Sequence, residues 1–220
     1  MKAYFVDNNS NNLIVVLCGW ALDEKPFECI TSGKEDILFL YDYSSLDLTF
    51  PIGFSFEKYS KKTLIAFSYG VFMAQFVLHL LPTFDEKIAV NGTLKPIDKE
   101  FGINPKIFDL TLSNVSEQSM LKFYEKMFDN NLDFEYFSEN LPYRNSENCK
   151  NELEKIKELA LNCDSSDFKY DKAIIANADK IIPTKSQERF WAQNCQNIRK
   201  IDGGHFVFYK FKNFGEIISL

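Results

Sequence analysis

Short apolar runs alternate with polar breaks through the first part of the chain and return near its end. Ala3–Val6, Leu13–Leu17, Ile37–Tyr41, Thr63–Phe67, Lys87–Val90, Ala173–Ala176 and Ile198–Ile201 have the length and residue types of strands, several of them apolar at every position. The polar stretch Asp7–Asn12 predicts a hairpin-like turn between the first two. Tyr69–Leu81 is apolar on nearly every side, which predicts a helix packed within the protein, and Glu28–Thr31 predicts a short helix. Strand, helix and strand in this order, with fully apolar strands, indicate an α/β fold whose mostly parallel sheet is covered on both faces.

The pattern changes between Asp98 and Phe168, which is polar and helical in period. Asn114 and Glu117 have the spacing of an N-cap and its capping-box partner, and Met120, Phe123 and Met127 follow at helical intervals. Cys149, Leu153, Ile156, Ala160 and Cys163 form a second apolar stripe. Residues 98–168 therefore read as a helical lid inserted into a core made of 1–97 and 169–220, all within one structural domain. After the insertion, Thr184 with Gln187 predicts a helix start running to Asn194, and Val207–Leu220 predicts the last helix.

A net charge of −6 argues against nucleic acid as the main partner, since phosphate binding needs a basic field. The 22 Phe and 10 Tyr point to a large aromatic core or an apolar pocket. Cys18, Cys29, Cys149, Cys163 and Cys195 are odd in number and irregular in spacing, with neither a disulfide framework nor a zinc signature, and a reduced cytoplasm is expected. The N-terminal residues lack the apolar core of a signal peptide, and no apolar run approaches the roughly 20 residues of a membrane span.

Candidate chemistry centres on Leu64-Ile-Ala-Phe-Ser68-Tyr-Gly70, where an apolar strand ends, a serine follows and an apolar helix begins at once. This is the setting of a nucleophile elbow, whose tight turn needs small residues two positions either side of the serine. Ala66 stands where the usual motif has glycine, and Gly70 satisfies the other side. The alternative is a serine that merely caps a helix. A serine nucleophile needs a base, and the chain has two histidines. His79 lies roughly 16 Å along the helix from Ser68, whereas His205 follows Asp202-Gly203-Gly204 just after the last strand. Asp179, just after the preceding strand, is the candidate to orient that imidazole, and Asp202 is its rival, read as a turn carboxylate. The order Ser68, Asp179, His205 is that of the α/β-hydrolase fold. An oxyanion needs two N–H donors. Tyr69 supplies one, and the loop Leu17-Cys-Gly-Trp20 supplies the other through the main chain of Trp20, with its indole walling the site. No base is indicated for Cys18.

At Gly19-Trp20, Phe67-Ser-Tyr-Gly70, Asp179-Lys-Ile-Ile-Pro183 and Gly204-His205-Phe206 the chain resembles the BioG-type family of pimeloyl-acyl carrier protein methyl ester esterases of bacterial biotin synthesis, compact α/β-hydrolases. The resemblance implies Ser68 as nucleophile, Asp179 as acid, His205 as base, and Trp20 and Tyr69 at the oxyanion hole. It implies hydrolysis of a methyl ester on the acyl carrier protein, with no metal or cofactor. Because that carrier is acidic, it also implies a local basic docking patch, for which Lys122, Lys126, Arg144, Lys155 and Lys157 are candidates. An acyl-carrier thioesterase, a short-chain carboxylesterase, or a hydrolase fold used only for binding are the alternatives.

Overall fold

Each central strand sends alternate side chains to opposite faces of one sheet. In the computed structural model, which describes residues 1–163 and 167–220, the strands are β1 (Lys2–Val6), β2 (Asn12–Leu17), β3 (Asp36–Tyr41), β4 (Lys61–Phe67), β5 (Glu86–Val90), β6 (Lys172–Ala176) and β7 (Ile198–Ile201). They form one sheet in the order β1-β3-β2-β4-β5-β6-β7, parallel throughout except for β1, which runs antiparallel to β3.

Leu13, Val15, Leu17, Leu38, Leu40 and Leu64 face α1 (Tyr69–Val77) and α6 (Thr184–Asn194), packing with Val71, Ala74, Val77, Phe190 and Trp191. Ile14, Val16, Ile37, Phe39, Ile65 and Phe67 face the opposite layer, which includes α7 (Phe214–Ile218) and the helices between β5 and β6. Those helices are α2 (Pro105–Ser113), α3 (Glu117–Lys126), α4 (Asn131–Glu139) and α5 (Ser146–Leu161). Residues 164–166, at the end of the expected 98–168 insertion, lie outside the described residues. Much of the phenylalanine content goes into one cluster on this side. Phe27 meets Phe208 at 4.8 Å and Phe206 at 5.2 Å between ring centroids, and Phe39 and Phe214 extend it. Phe206 and Phe208 thereby anchor the loop that follows β7.

The sequence pattern misses four local features. Asp7–Asn12 does not close a hairpin, because β3 lies between β1 and β2. The Asp36 carboxylate accepts from Asn8 N and Ser10 N, and Asn8 Nδ2 donates to Thr31 O and Glu35 O. These bonds pin the loop at the start of β3 and carry β1 onto its outer edge. The N-cap of α3 is Ser116, which exchanges hydrogen bonds with Ser119, while Glu117 accepts from Ser146 N at the start of α5. Thr184 does not cap α6: its hydroxyl donates to Ala176 O and accepts from Asp179 N. Finally, the expected long helices are shorter. The chain tightens into a 3-10 turn at Leu78–Leu80, leaving His79 exposed, and the C-terminal stretch divides into a turn at Phe208–Lys210 and α7, with Asn213 capping the latter.

Candidate functional site

Ser68 sits between the last residue of β4 and the first of α1 with φ +56° and ψ −122°. A left-handed φ costs a non-glycine residue on the order of 1–3 kcal/mol and persists only where its surroundings enforce it. Here Ser68 N donates to Val90 O at 2.9 Å, and Ser68 O accepts from Val71 N at 3.1 Å. The following helix starts directly against the end of β2. A Cβ at Gly70 would stand 2.4 Å from Leu17 O and 2.8 Å from Cys18 O, so no side chain fits there. Ala66, which replaces the usual glycine, is fully buried and pairs across the sheet with Leu17 and Ala89, where a methyl group is accommodated.

His205 meets Ser68 through the loop after β7. Its Nε2 lies 2.8 Å from Ser68 Oγ, and its Nδ1 lies 2.7 Å from Asp179 Oδ2. All three side chains are buried. The Asp179 carboxylate also accepts from Ile181 N, Ile182 N and Gln187 Nε2. A carboxylate accepts only, so the Nδ1 position carries the proton and Nε2 is left to accept from the Ser68 hydroxyl. Asp202 does not approach the imidazole; it is exposed and accepts from Asn177 Nδ2.

Two residues in this arrangement escape sequence reasoning. Asn91 is buried at the end of β5 with φ +47°; it donates to His205 O and accepts from Ala176 N. Gln187, expected as a capping partner, instead holds Asp179 from α6. Neither has a periodicity that would mark it, since both act across distant parts of the chain.

The loop after β2 lies against the serine. A Cβ at Gly19 would stand 3.0 Å from Ser68 Cβ. The main-chain N–H groups of Trp20 and Tyr69 take no protein acceptor among the described residues. Trp20 is buried, its indole donating to Cys149 O at 2.7 Å and meeting Phe123 edge-on at 4.7 Å. Ala21, with φ +64°, donates to Glu152 Oε2 and accepts from Tyr124 Oη. Burial pushes the Cys18 thiol well above its ordinary range, which leaves it a poor nucleophile.

Trp20 and Tyr69 also wall a cavity of about 430 Å³ that extends among α2, α3 and α5. Its lining is mainly apolar, including Phe108, Phe123, Leu153 and Ile181, and Lys122 and Lys126 stand on its α3 side. Of the five candidate docking cations, Arg144 is not available. It is buried against Glu152 and Asp42, with Nη1 donating to Leu22 O, because two buried carboxylates need a countercharge there. Lys155 and Lys157 are ion-paired with Glu158 and Asp109. Among the described residues no cluster of three or more His, Cys, Asp or Glu side chains could hold a metal ion, and no helix is long and apolar enough to cross a membrane.

The strand order and the turn at Ser68 define an α/β-hydrolase fold. A lipase-esterase related protein from Clostridium acetobutylicum shares that fold, with a TM-score of 0.64 at 19% identity over 99% of this chain and 98% of that one. The chain belongs to the pimeloyl-ACP methyl esterase BioG family, whose model matches residues 1–217. The crystal structure of BioG from Haemophilus influenzae is similar over 98% of this chain and 99% of that one, with 30% identity and a TM-score of 0.86. A malonyl-[acyl-carrier protein] O-methyltransferase of Bacteroides fragilis is 36% identical over 195 residues, which are 88% of this chain but 39% of that protein. The chain therefore spans about two fifths of the length of that relative.

Proposed function

We propose that this protein is a serine esterase that removes the methyl group from a pimeloyl methyl ester carried on acyl carrier protein, within biotin synthesis. The observation that carries the reading is the hydrogen-bonded chain Ser68–His205–Asp179 beside an apolar cavity. Ser68 Oγ attacks the ester carbonyl as His205 Nε2 takes its proton, and Asp179 steadies the imidazolium that forms. The N–H groups of Trp20 and Tyr69 stabilise the oxyanion. His205 then protonates departing methoxide, and water activated by the same imidazole releases the free carboxylate. Every step uses side chains, two main-chain N–H groups and water.

Family membership supports a carrier-bound methyl ester as substrate. The partial match to a malonyl-carrier O-methyltransferase supports it too, since such an enzyme installs the group that this one would remove. In this reading α2–α5 form a lid whose cavity takes the apolar acyl chain, and Lys122 and Lys126 face the acidic carrier. The reaction would take place in the cytoplasm.

The test incubates the purified protein with pimeloyl-carrier protein methyl ester and follows the intact carrier by mass spectrometry. A mass decrease of one methylene with the thioester retained is expected, lost in Ser68→Ala. Release of the acyl group from the carrier would overturn the reading in favour of a thioesterase, and turnover independent of Ser68 would remove the proposed nucleophile.

A further inference from the structure

Glu152 lies on the buried stripe of α5, between Cys149 and Ile156, yet it is an acid and fully buried. Its Oε2 accepts from Ala21 N at 3.2 Å and from Arg144 Nη2 at 3.0 Å, and its Oε1 accepts from Tyr43 N at 3.0 Å. One carboxylate therefore takes peptide N–H groups from two loops, those after β2 and β3. Neighbouring contacts converge on the same segment. The Trp20 indole donates to Cys149 O, Tyr124 Oη donates to Ala21 O, and Arg144 donates to Leu22 O.

A buried ion pair is weak grounds for stability, since apolar side chains of similar volume often replace one without loss. What apolar side chains cannot do is accept N–H groups. The Ala21 N–H belongs to the peptide that joins Trp20 to Ala21, so its bond to Glu152 fixes the plane next to the one that carries the Trp20 N–H. The left-handed Ala21 keeps that plane turned only while something holds it.

We infer that Glu152 is a positioning residue for the reaction: held in place by Arg144, it orients the loop that presents the Trp20 N–H to the oxyanion and so couples α5 to the reacting centre. The inference rests on the serine-esterase reading for its kinetic consequence. Charge develops on the oxyanion only in the transition state, so misaiming a donor lowers kcat and leaves KM nearly unchanged. Complete loss of an oxyanion donor costs about 10²–10³-fold in kcat; misaiming one should cost roughly tenfold or more.

The test compares wild type with Glu152→Gln and with the double variant Arg144→Met/Glu152→Leu, which replaces the ion pair by apolar packing. Turnover of a small neutral ester is measured together with amide hydrogen exchange at Ala21 and Tyr43. In the double variant kcat is expected to fall at least tenfold with KM within about twofold, and both amides to lose protection; in Glu152→Gln, whose side chain keeps a single acceptor oxygen, at least one of the two amides is expected to lose protection. A folded double variant with wild-type kcat, or unchanged amide protection in either variant, overturns the inference. Exchange needs no turnover: lost protection in a protein whose wild-type form shows no Ser68-dependent hydrolysis would sink the serine-esterase reading while sustaining Glu152 as the holder of this loop.

Discussion

Asn91 holds His205 by its backbone: Asn91 Nδ2 donates to His205 O at 2.7 Å while Asn91 Oδ1 accepts from Ala176 N at 2.7 Å. A single buried amide thus joins the ends of β5 and β6 to the loop after β7. Asn91→Ala leaves both partners without a bond, at a cost of about 1–3 kcal/mol for each group left buried. Lower thermal stability and a roughly tenfold or greater fall in ester turnover are expected. Undiminished activity would mean that the loop's other contacts, such as the Phe206 N–H bond to Met127 O and the packing of Phe206 and Phe208, hold it without Asn91.

Asp179 and Gln187 separate orientation from support. In Asp179→Asn the side chain has one oxygen and one amide group where two oxygens meet four donors, and the imidazole loses its preferred tautomer. A loss of about 10⁴-fold in kcat is expected. Gln187→Leu removes one donor to Asp179 while filling the same space, so a smaller fall, of about tenfold, is expected in the same assay. A Gln187→Leu loss as large as that of Asp179→Asn would show that this bond is not merely supporting.

The elbow should tolerate change on one side only. Gly70→Ala places a methyl group against the backbone of Leu17 and Cys18, which cannot move without breaking the sheet, and a fall in stability of about 3 kcal/mol or more, or loss of soluble protein, is expected. Ala66→Gly meets no such limit. It should cost about 0.5–1 kcal/mol, the usual penalty of glycine within a strand. Denaturant unfolding of the two variants measures the asymmetry.

Asp23 gives a pH signature. Burial pushes its carboxyl from 3.8 to about 6, against the pull of hydrogen bonds from Lys25 N and Tyr143 N. A raised pKa means that the folded state holds a proton which the unfolded state has released. The favourable contribution is fully present below pH 3.8 and is lost as pH rises through about 6. At about 1.4 kcal/mol per pKa unit the span is worth on the order of 3 kcal/mol. Stability of Asp23→Asn relative to wild type should therefore rise across that window; a flat difference would place the titration elsewhere.

Lys122 and Lys126 test the docking reading. Reversing both charges to Glu should raise KM for a carrier-bound methyl ester about tenfold or more, and far more than KM for the same ester free in solution. Added salt should narrow the gap, because long-range attraction is screened beyond about 10 Å at 0.1 M. Equal effects on both substrates would move the carrier to another face.

Much of the fold was legible because local rules decide it. Every expected strand forms, and Ser68, Asp179 and His205 meet because each follows the end of a strand in one sheet. What stayed hidden depends on contacts between distant segments. Lys2–Val6 and Asn12–Leu17 look like hairpin partners until Asp36 is seen to pin the loop between them. Arg144 looks like a surface cation because nothing local shows Asp42 and Glu152 waiting for it. Glu152 did leave a trace, a charge within an apolar stripe of α5, which marks a buried partner rather than a solvated face. Ser116 is masked because Asn114 and Glu117 also fit the capping spacing.

Ser68 and His205 are 137 residues apart in the chain. At about 5–20 residues per second of synthesis, the serine is made roughly 7–27 s before the imidazole. The helices of α2–α5 are made in between, so the cavity they line can assemble around a Ser68 that has no imidazole beside it. A newborn chain thus lacks the Ser68–His205 hydrogen bond until β7 and the loop that follows it have been made.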